Sequence, residues 1–198
     1  MSTAEAAAES RLDPRVERTR QVALDSAKRL LREEGWDALT HVRLAAASGI
    51  SRMTLYRHWP TRLDLLRDTL LMWAVDYRHP NLTGDLRLDL KNNLQLLRRE
   101  LLAREQVLLA TLIERSLSDR KIARLRDESV AQVCSGLVAA LKLGVESGNL
   151  PPDLDIDMSV TALVGPCIYD LLLNGKALTA SFVNEVIDSF LRRYERTA

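Results

Sequence analysis

Residues 40–62, THVRLAAASGISRMTLYRHWPTR, constrain this chain more than any other stretch. Thr40 is a cap for a helix over 41–47, Gly49-Ile50-Ser51 supplies a tight turn, and Ser51 caps a second helix over about 52–58 that Pro60 stops. A helix of barely two turns gains little from its own hydrogen bonds, so its neighbours must hold it. Leu44, Ala45 and Ala46 are placed to pack inward from the first helix, and Leu55 packs backward from the second. The second helix, Arg52 to Trp59, then presents long polar and aromatic side chains on an exposed face suited to a DNA duplex.

Charge supports that reading through its distribution rather than its total. The net charge is only +1, yet residues 38–63 hold Arg43, Arg52, Arg57 and Arg62 and no acid. Residues 71–198 carry 16 basic and 17 acidic side chains, so a positive patch sits on an otherwise neutral chain.

Helical periodicity runs through the rest, with no strand-like alternation and no internal repeat, and an all-α fold is expected. Residues 1–12 read as a disordered lead-in, and Asp13-Pro14 starts a helix to about Glu34, with Val22, Ala23, Ala27 and Leu30 as its inward stripe. Gly35 ends it, and Trp36 and Leu39 plug the connection that follows. Thr61 and Asp64 form a capping box that opens a helix to about Tyr77, with Leu63, Leu66, Leu70 and Trp73 facing inward. After the break at residues 79–84, helices are expected over about 85–101, 105–116, 119–147, 156–173 and 180–195. The division is thus 13–60 for a helix-turn-helix head and 61–198 for a larger helical body.

The last two helices carry more apolar surface than one hairpin needs. Val160, Leu163, Val164, Ile168 and Leu171, with Phe182, Val186, Ile187 and Phe190, are expected to build a four-helix interface with a second copy, the alternative being a thick monomeric core. Pro166 cannot donate to the carbonyl of Ala162 and is expected to bend the first of the pair.

The order and spacing of Thr40, Leu44-Ala45-Ala46, Gly49-Ile50-Ser51, Thr54-Leu55-Tyr56, His58-Trp59-Pro60 and Thr61-Arg62-x-Asp64-Leu65-Leu66 resemble the N-terminal DNA-binding domain of the TetR family of transcriptional regulators. The resemblance is sharp over residues 18–70. Three positions depart from the family's usual pattern: Met53 stands where Gly or Ala is frequent, Trp59 where Phe is, and Arg62 where Lys is. The resemblance implies a DNA-binding set of Thr40, His41, Arg52, Met53, Thr54, Tyr56, His58 and Arg62. The chemistry fits. Arg52 can reach the O6 and N7 acceptors of guanine, Met53 a thymine methyl, and the Thr54 and Tyr56 hydroxyls can donate to phosphate. His41, His58 and Arg62 supply further donors toward the backbone, while Trp59 is the core anchor. Arg43 and Arg57 read equally as contacts or as solvated charges.

One small head buries too little surface for strong specific recognition, so a homodimer on a palindromic operator is expected, with half-sites about 34 Å apart or a multiple of that. The resemblance further implies a repressor released by a small-molecule effector held in the body. Trp73, Tyr77, Leu109, Ile113, Cys134 and Leu137 are the candidate pocket, and core packing is the competing reading for each.

Other classes find little support. His41, His58 and His79 belong to no metal-ligand pattern, and no glycine-rich phosphate cradle or nucleophile elbow is present, so neither catalytic residue, cofactor nor metal is assigned and an enzyme is not expected. The acidic run from Asp153 to Asp157 precedes a helix, where carboxylates favour the N-terminal dipole. Cys134 and Cys167 read as structural thiols in helix interiors, with redox sensing the alternative. No leader-like segment opens the chain and no run of about 18 uninterrupted apolar residues would span a membrane, so the expected location is the cytoplasm. A helical protein-interaction adaptor is the remaining alternative.

Overall fold

Pro14, whose missing N–H costs nothing at a first helical position, opens α1 (Pro14–Glu34) in the computed structural model, which describes residues 14–76, 81–101 and 106–194. The lead-in over residues 1–12 and the Asp13 cap lie outside the described residues. Ala23, Leu24, Ala27, Leu30 and Leu31 form the buried stripe of α1. Val22 does not belong to it: Leu24 takes the inward place and Val22 is exposed. Gly35 adopts a φ of 84° that a side chain would strain, and its N–H closes on the Leu31 carbonyl at 3.1 Å. A short 3-10 helix, Trp36–Ala38, then buries Trp36 and leads to the buried Leu39.

The capped helices fall where their caps put them. The hydroxyl of Thr40 accepts from the N–H of Arg43 to start α2 (His41–Ser48), and that of Ser51 accepts from Thr54 to start α3 (Arg52–His58). Gly49 ends α2 at a φ of 73°. Leu44 and Leu55 are fully buried, whereas Ala46 faces solvent and Ala45 is half-buried. The Thr61–Asp64 box opens α4 (Arg62–Asp76): the Thr61 N–H donates to Asp64 Oδ2 at 2.9 Å and the Asp64 N–H donates back to Thr61 Oγ1 at 3.2 Å. Its inward stripe is Leu65, Leu66, Thr69 and Leu70, with Leu63 only half-buried.

The chain divides into two compact units, the first ending at Trp73 and the second starting at Ala74. Most of α4 falls in the first unit, where it supplies the floor on which α3 is held. In the second unit α5 (Leu86–Glu100), α6 (Gln106–Ser116), α7 (Arg120–Glu146), α8 (Ile156–Leu172) and α9 (Ala180–Leu191) follow one another. Asp85, Asp119, Asp155 and Thr179 cap α5, α7, α8 and α9 with side-chain oxygens on backbone N–H groups. The carboxylate at 155, within the acidic run, therefore spends itself on the N–H of Met158. The buried carboxylate of Asp89 ties down the turn before α5, accepting from the N–H and hydroxyl of Thr83 at 2.8 Å each.

The core of this unit is built around α7, which packs on α5, α6 and α8, while α9 closes against α5 and α8. Leu90, Leu94, Leu137, Leu141, Leu163, Val183 and Ile187 lie at its centre. Among the described residues α7 is the helix whose length and apolarity would suffice to cross a membrane, with a hydropathy of 1.3 over an 18-residue window. Its apolar stripe is instead committed to the neighbouring helices. α8 runs through Pro166 without a break in its helical span.

Leu141 has no exposed surface, so Leu141→Ala both removes buried methyl groups and leaves a void. It should lower unfolding stability by about 2–5 kcal/mol, read as a reduced urea midpoint.

Candidate DNA-binding site

Seven residues cannot sustain a helix in water, and α3 is fixed by ties at its far end. Leu55 is wholly buried and Trp59, the residue after the helix, is nearly so. A buried indole N–H requires an acceptor. Trp59 Nε1 finds it in Asp68 Oδ2 on α4 at 2.9 Å, and the same oxygen accepts from Arg20 Nη2 on α1 at 2.6 Å. One carboxylate oxygen thus joins three helices. Sequence reasoning missed Arg20 and Asp68, although Trp in place of Phe was the signal: it adds a donor that something nearby must accept.

The opposite side of Trp59 is held from α2. His41 Nε2 lies 2.7 Å from the Trp59 carbonyl oxygen, and its ring stacks on Tyr56 with centroids 4.1 Å apart and planes 10° from parallel. His41 is only 5% exposed, with its Nε2 engaged by that carbonyl. Arg62 is likewise engaged within the head. Its Nε donates to the Leu39 carbonyl at 2.8 Å and Nη2 to the Trp36 carbonyl, with Asp37 at 3.6 Å. This guanidinium satisfies carbonyls left over at the 3-10 helix and locks α4 to it, which a shorter-reaching monopolar amine would do less completely. The Thr40 hydroxyl accepts from the Arg43 N–H as the α2 cap, which leaves its own O–H to donate.

What remains outward is a compact set. Met53 is 84% exposed and Tyr56 50% exposed, with Arg52 and Arg57 exposed beside them. Neither arginine has an ion-pair partner among the described residues, whereas Arg43 is paired with Glu34. Thr54 is half-buried, its hydroxyl 2.9 Å from that of Ser51, and His58 is half-buried with its ring tilted against Trp59 at 5.5 Å. Two cationic side chains, an apolar tip and a phenol on a pinned helix offer the donors and the methyl-contacting surface that base edges and phosphates complement.

The sites expected in the body are placed differently. Leu163, Leu171, Val186, Ile187 and Phe190 lie in the unit's own core, and Val160, Val164, Ile168 and Phe182 are partly buried against it. α8 turns Met158, Tyr169 and Leu173 outward instead. Both faces of α8 are apolar, so one helix serves the core and leaves apolar side chains outside it. Of the expected pocket, Leu137 is a core residue, Cys134 is buried, and Leu109 and Ile113 are partly buried. The Trp73 side chain and Tyr77 lie outside the described residues. A groove of about 480 Å³ opens elsewhere, between α8 and α9, lined by Ala162, Pro166, Phe182, Glu185 and Arg193 among others. Both thiols are inert in kind: burial pushes up that of Cys134, and burial with the charge of Asp170 pushes Cys167 to about 11. Among the described residues no three His, Cys, Asp or Glu side chains gather as metal ligands.

This fold and site define a helix-turn-helix DNA-binding protein with a separate helical body. Residues 23–69 match the family model of bacterial regulatory proteins of the tetR family, and residues 80–190 match that of the tetracyclin repressor-like C-terminal domain. An HTH-type transcriptional regulator of Bacillus subtilis, YdeS, is 30% identical over 189 residues, covering 93% of this chain and 94% of the relative. The DNA-binding transcriptional repressor TetR of Mycobacteroides abscessus is 27% identical over 180 residues, covering 87% and 92%. The crystal structure of the TetR family transcription regulator SCO0332 superposes with a TM-score of 0.72 at 28% identity, covering 88% of this chain and 97% of that one. The chain belongs to the TetR family and is a DNA-binding transcriptional regulator.

Trp59→Phe keeps the ring but removes the donor to Asp68, and should lower the stability of the head by about 1 kcal/mol in thermal or urea unfolding. The Asp64 carboxyl is held below its ordinary 3.8, first by the Thr61 hydroxyl and then by the Thr61 N–H. A lowered folded value favours the ionised form, so its stabilisation is present above about pH 4 and is lost as pH falls through the folded value. Asp64→Asn should remove that part of the acid dependence, seen as a flatter plot of melting temperature below about pH 4.

Proposed function

We propose that this regulator is a homodimeric repressor that binds a palindromic operator and is released from it by a small-molecule effector. The carrying observation is the outward set on α3, Arg52, Met53 and Tyr56, on a helix whose other side is tied to α1, α2 and α4. In this reading Arg52 addresses a guanine edge, Met53 a thymine methyl, and Tyr56, Arg57 and His58 the phosphates. Arg62 and His41 serve the site by holding it, and Thr40 by capping α2. Acting on DNA, the protein works in the cytoplasm.

Two heads are needed to bury enough duplex surface, and the outer face of α8 suits the pairing. Met158, Ala162, Tyr169 and Leu173 recur at helical spacing on it, and the apolar rim of the α8–α9 groove continues the same face. The repressor sense follows the family and the name of the Mycobacteroides relative. The effector would bind in the body, near the partly buried Leu109 and Ile113, and must favour one spacing of the heads over another to act.

Arg52→Ala should weaken binding to a selected duplex by about tenfold or more in fluorescence anisotropy, with specificity relaxed at the guanine it reads. Unchanged affinity would remove α3 from the reading surface. Tyr169→Glu combined with Leu173→Glu should convert a dimer into a monomer in sedimentation equilibrium, with the fold retained because both side chains are exposed. A dimer that survives both changes would place the interface elsewhere.

A further inference from the structure

His41 is the histidine that the head buries, and its two interactions point at the same short helix. The Trp59 carbonyl can only accept, so the hydrogen on His41 lies on Nε2. That carbonyl ends α3 and precedes Pro60, where the chain turns away, and among the described residues no following helical N–H reaches back to it. The flat face of the imidazole meanwhile covers one face of the Tyr56 phenol, nearly parallel at 4.1 Å. Thr40 caps the helix that carries His41, so the imidazole is itself mounted on a fixed base. The result ties a partly exposed tyrosine and the end of the helix that carries it to a different helix, through one side chain with 5% of its surface exposed.

We infer that His41 is a positioning residue for DNA recognition: it sets the plane of Tyr56 and the pitch of α3, so that the phenolic hydroxyl is aimed before DNA arrives. The inference rests on the reading of Tyr56 as a DNA contact and adds the residue through which that contact is prepared. A tyrosine whose ring is already fixed loses less conformational freedom on binding than one that must be ordered by the DNA. His41 therefore acts through Tyr56 and not on phosphate itself. Two properties of the side chain are separable. A glutamine places an amide N–H near the position of Nε2 and keeps the bond to Trp59 without the ring; a phenylalanine keeps the stack without the donor.

The test is a double-mutant cycle on the full chain, with operator affinity measured for the wild type, His41→Gln, Tyr56→Ala and the combined variant. His41→Gln should weaken binding about three- to tenfold while the circular dichroism spectrum is kept, and should have no further effect once Tyr56 is alanine. His41→Phe, which keeps the stack, should bind more tightly than His41→Gln. An equal loss in both backgrounds, or no loss from His41→Gln, would overturn the inference while leaving Tyr56 as a contact. A Tyr56→Ala variant that binds like the wild type would overturn the reading beneath it as well. Should His41→Gln unfold the head, nitrogen-15 NMR of the unaltered protein still decides the geometry. The hydrogen should be found on Nε2, protected from solvent exchange; a ring with bare Nε2 would contradict it.

Discussion

Everything the head does depends on holding a helix too short to hold itself. α3 has seven residues, fewer than an isolated helix needs in water by a wide margin, and its outward face must stay polar to meet DNA. Its order is therefore borrowed. Leu55 and Trp59 provide the apolar anchor, and three polar ties fix the direction: the indole to Asp68 and through it to Arg20, the Trp59 carbonyl to His41, and the Ser51 cap to Thr54. These ties come from α1, α2, α4 and the turn, so the first unit is a frame for one helix. Specificity in such a site follows from rigidity, since side chains on a mobile helix would meet many sequences equally well.

The same arithmetic explains which basic residues are available for DNA. Arg43 answers Glu34, and Arg62 answers carbonyls that the 3-10 helix leaves unsatisfied. A cation that already has good partners gains little by exchanging them for a phosphate. Arg52 and Arg57 have no such partner among the described residues and stand next to Met53 and Tyr56. The positive patch visible in residues 38–63 is thus smaller in effect than in composition, and it is concentrated on one face of α3.

Much of the fold was legible because helix limits are local chemistry. Thr40, Ser51, Asp119, Asp155 and Thr179 act as caps in the structure, and α3 spans the residues that Ser51 and Pro60 enclose. The direction of polar side chains was not legible. His41 and Arg62 look like surface donors in the sequence, but their partners, a carbonyl at 59 and carbonyls at 36 and 39, come together only in the folded head. The apolar final pair poses a related problem. On a helix that is apolar around most of its circumference, periodicity cannot say which stripe meets the protein's own core and which meets a partner. Leu163 and Leu171 went inward, and Met158, Tyr169 and Leu173 outward. Val22 and Leu24 differ in the same way on α1, where a shift of two positions rotates the buried face.

The central claim, that a pinned α3 presented twice reads a symmetric duplex, is tested most directly by selecting binding sites from a random duplex library with the full-length protein at fixed salt. Enrichment of an inverted repeat is expected, with half-site centres about 34 Å apart or a multiple of that and at least one invariant guanine in each half for Arg52. Enrichment of a single unrepeated motif, or equal and salt-sensitive binding to every duplex, would contradict it.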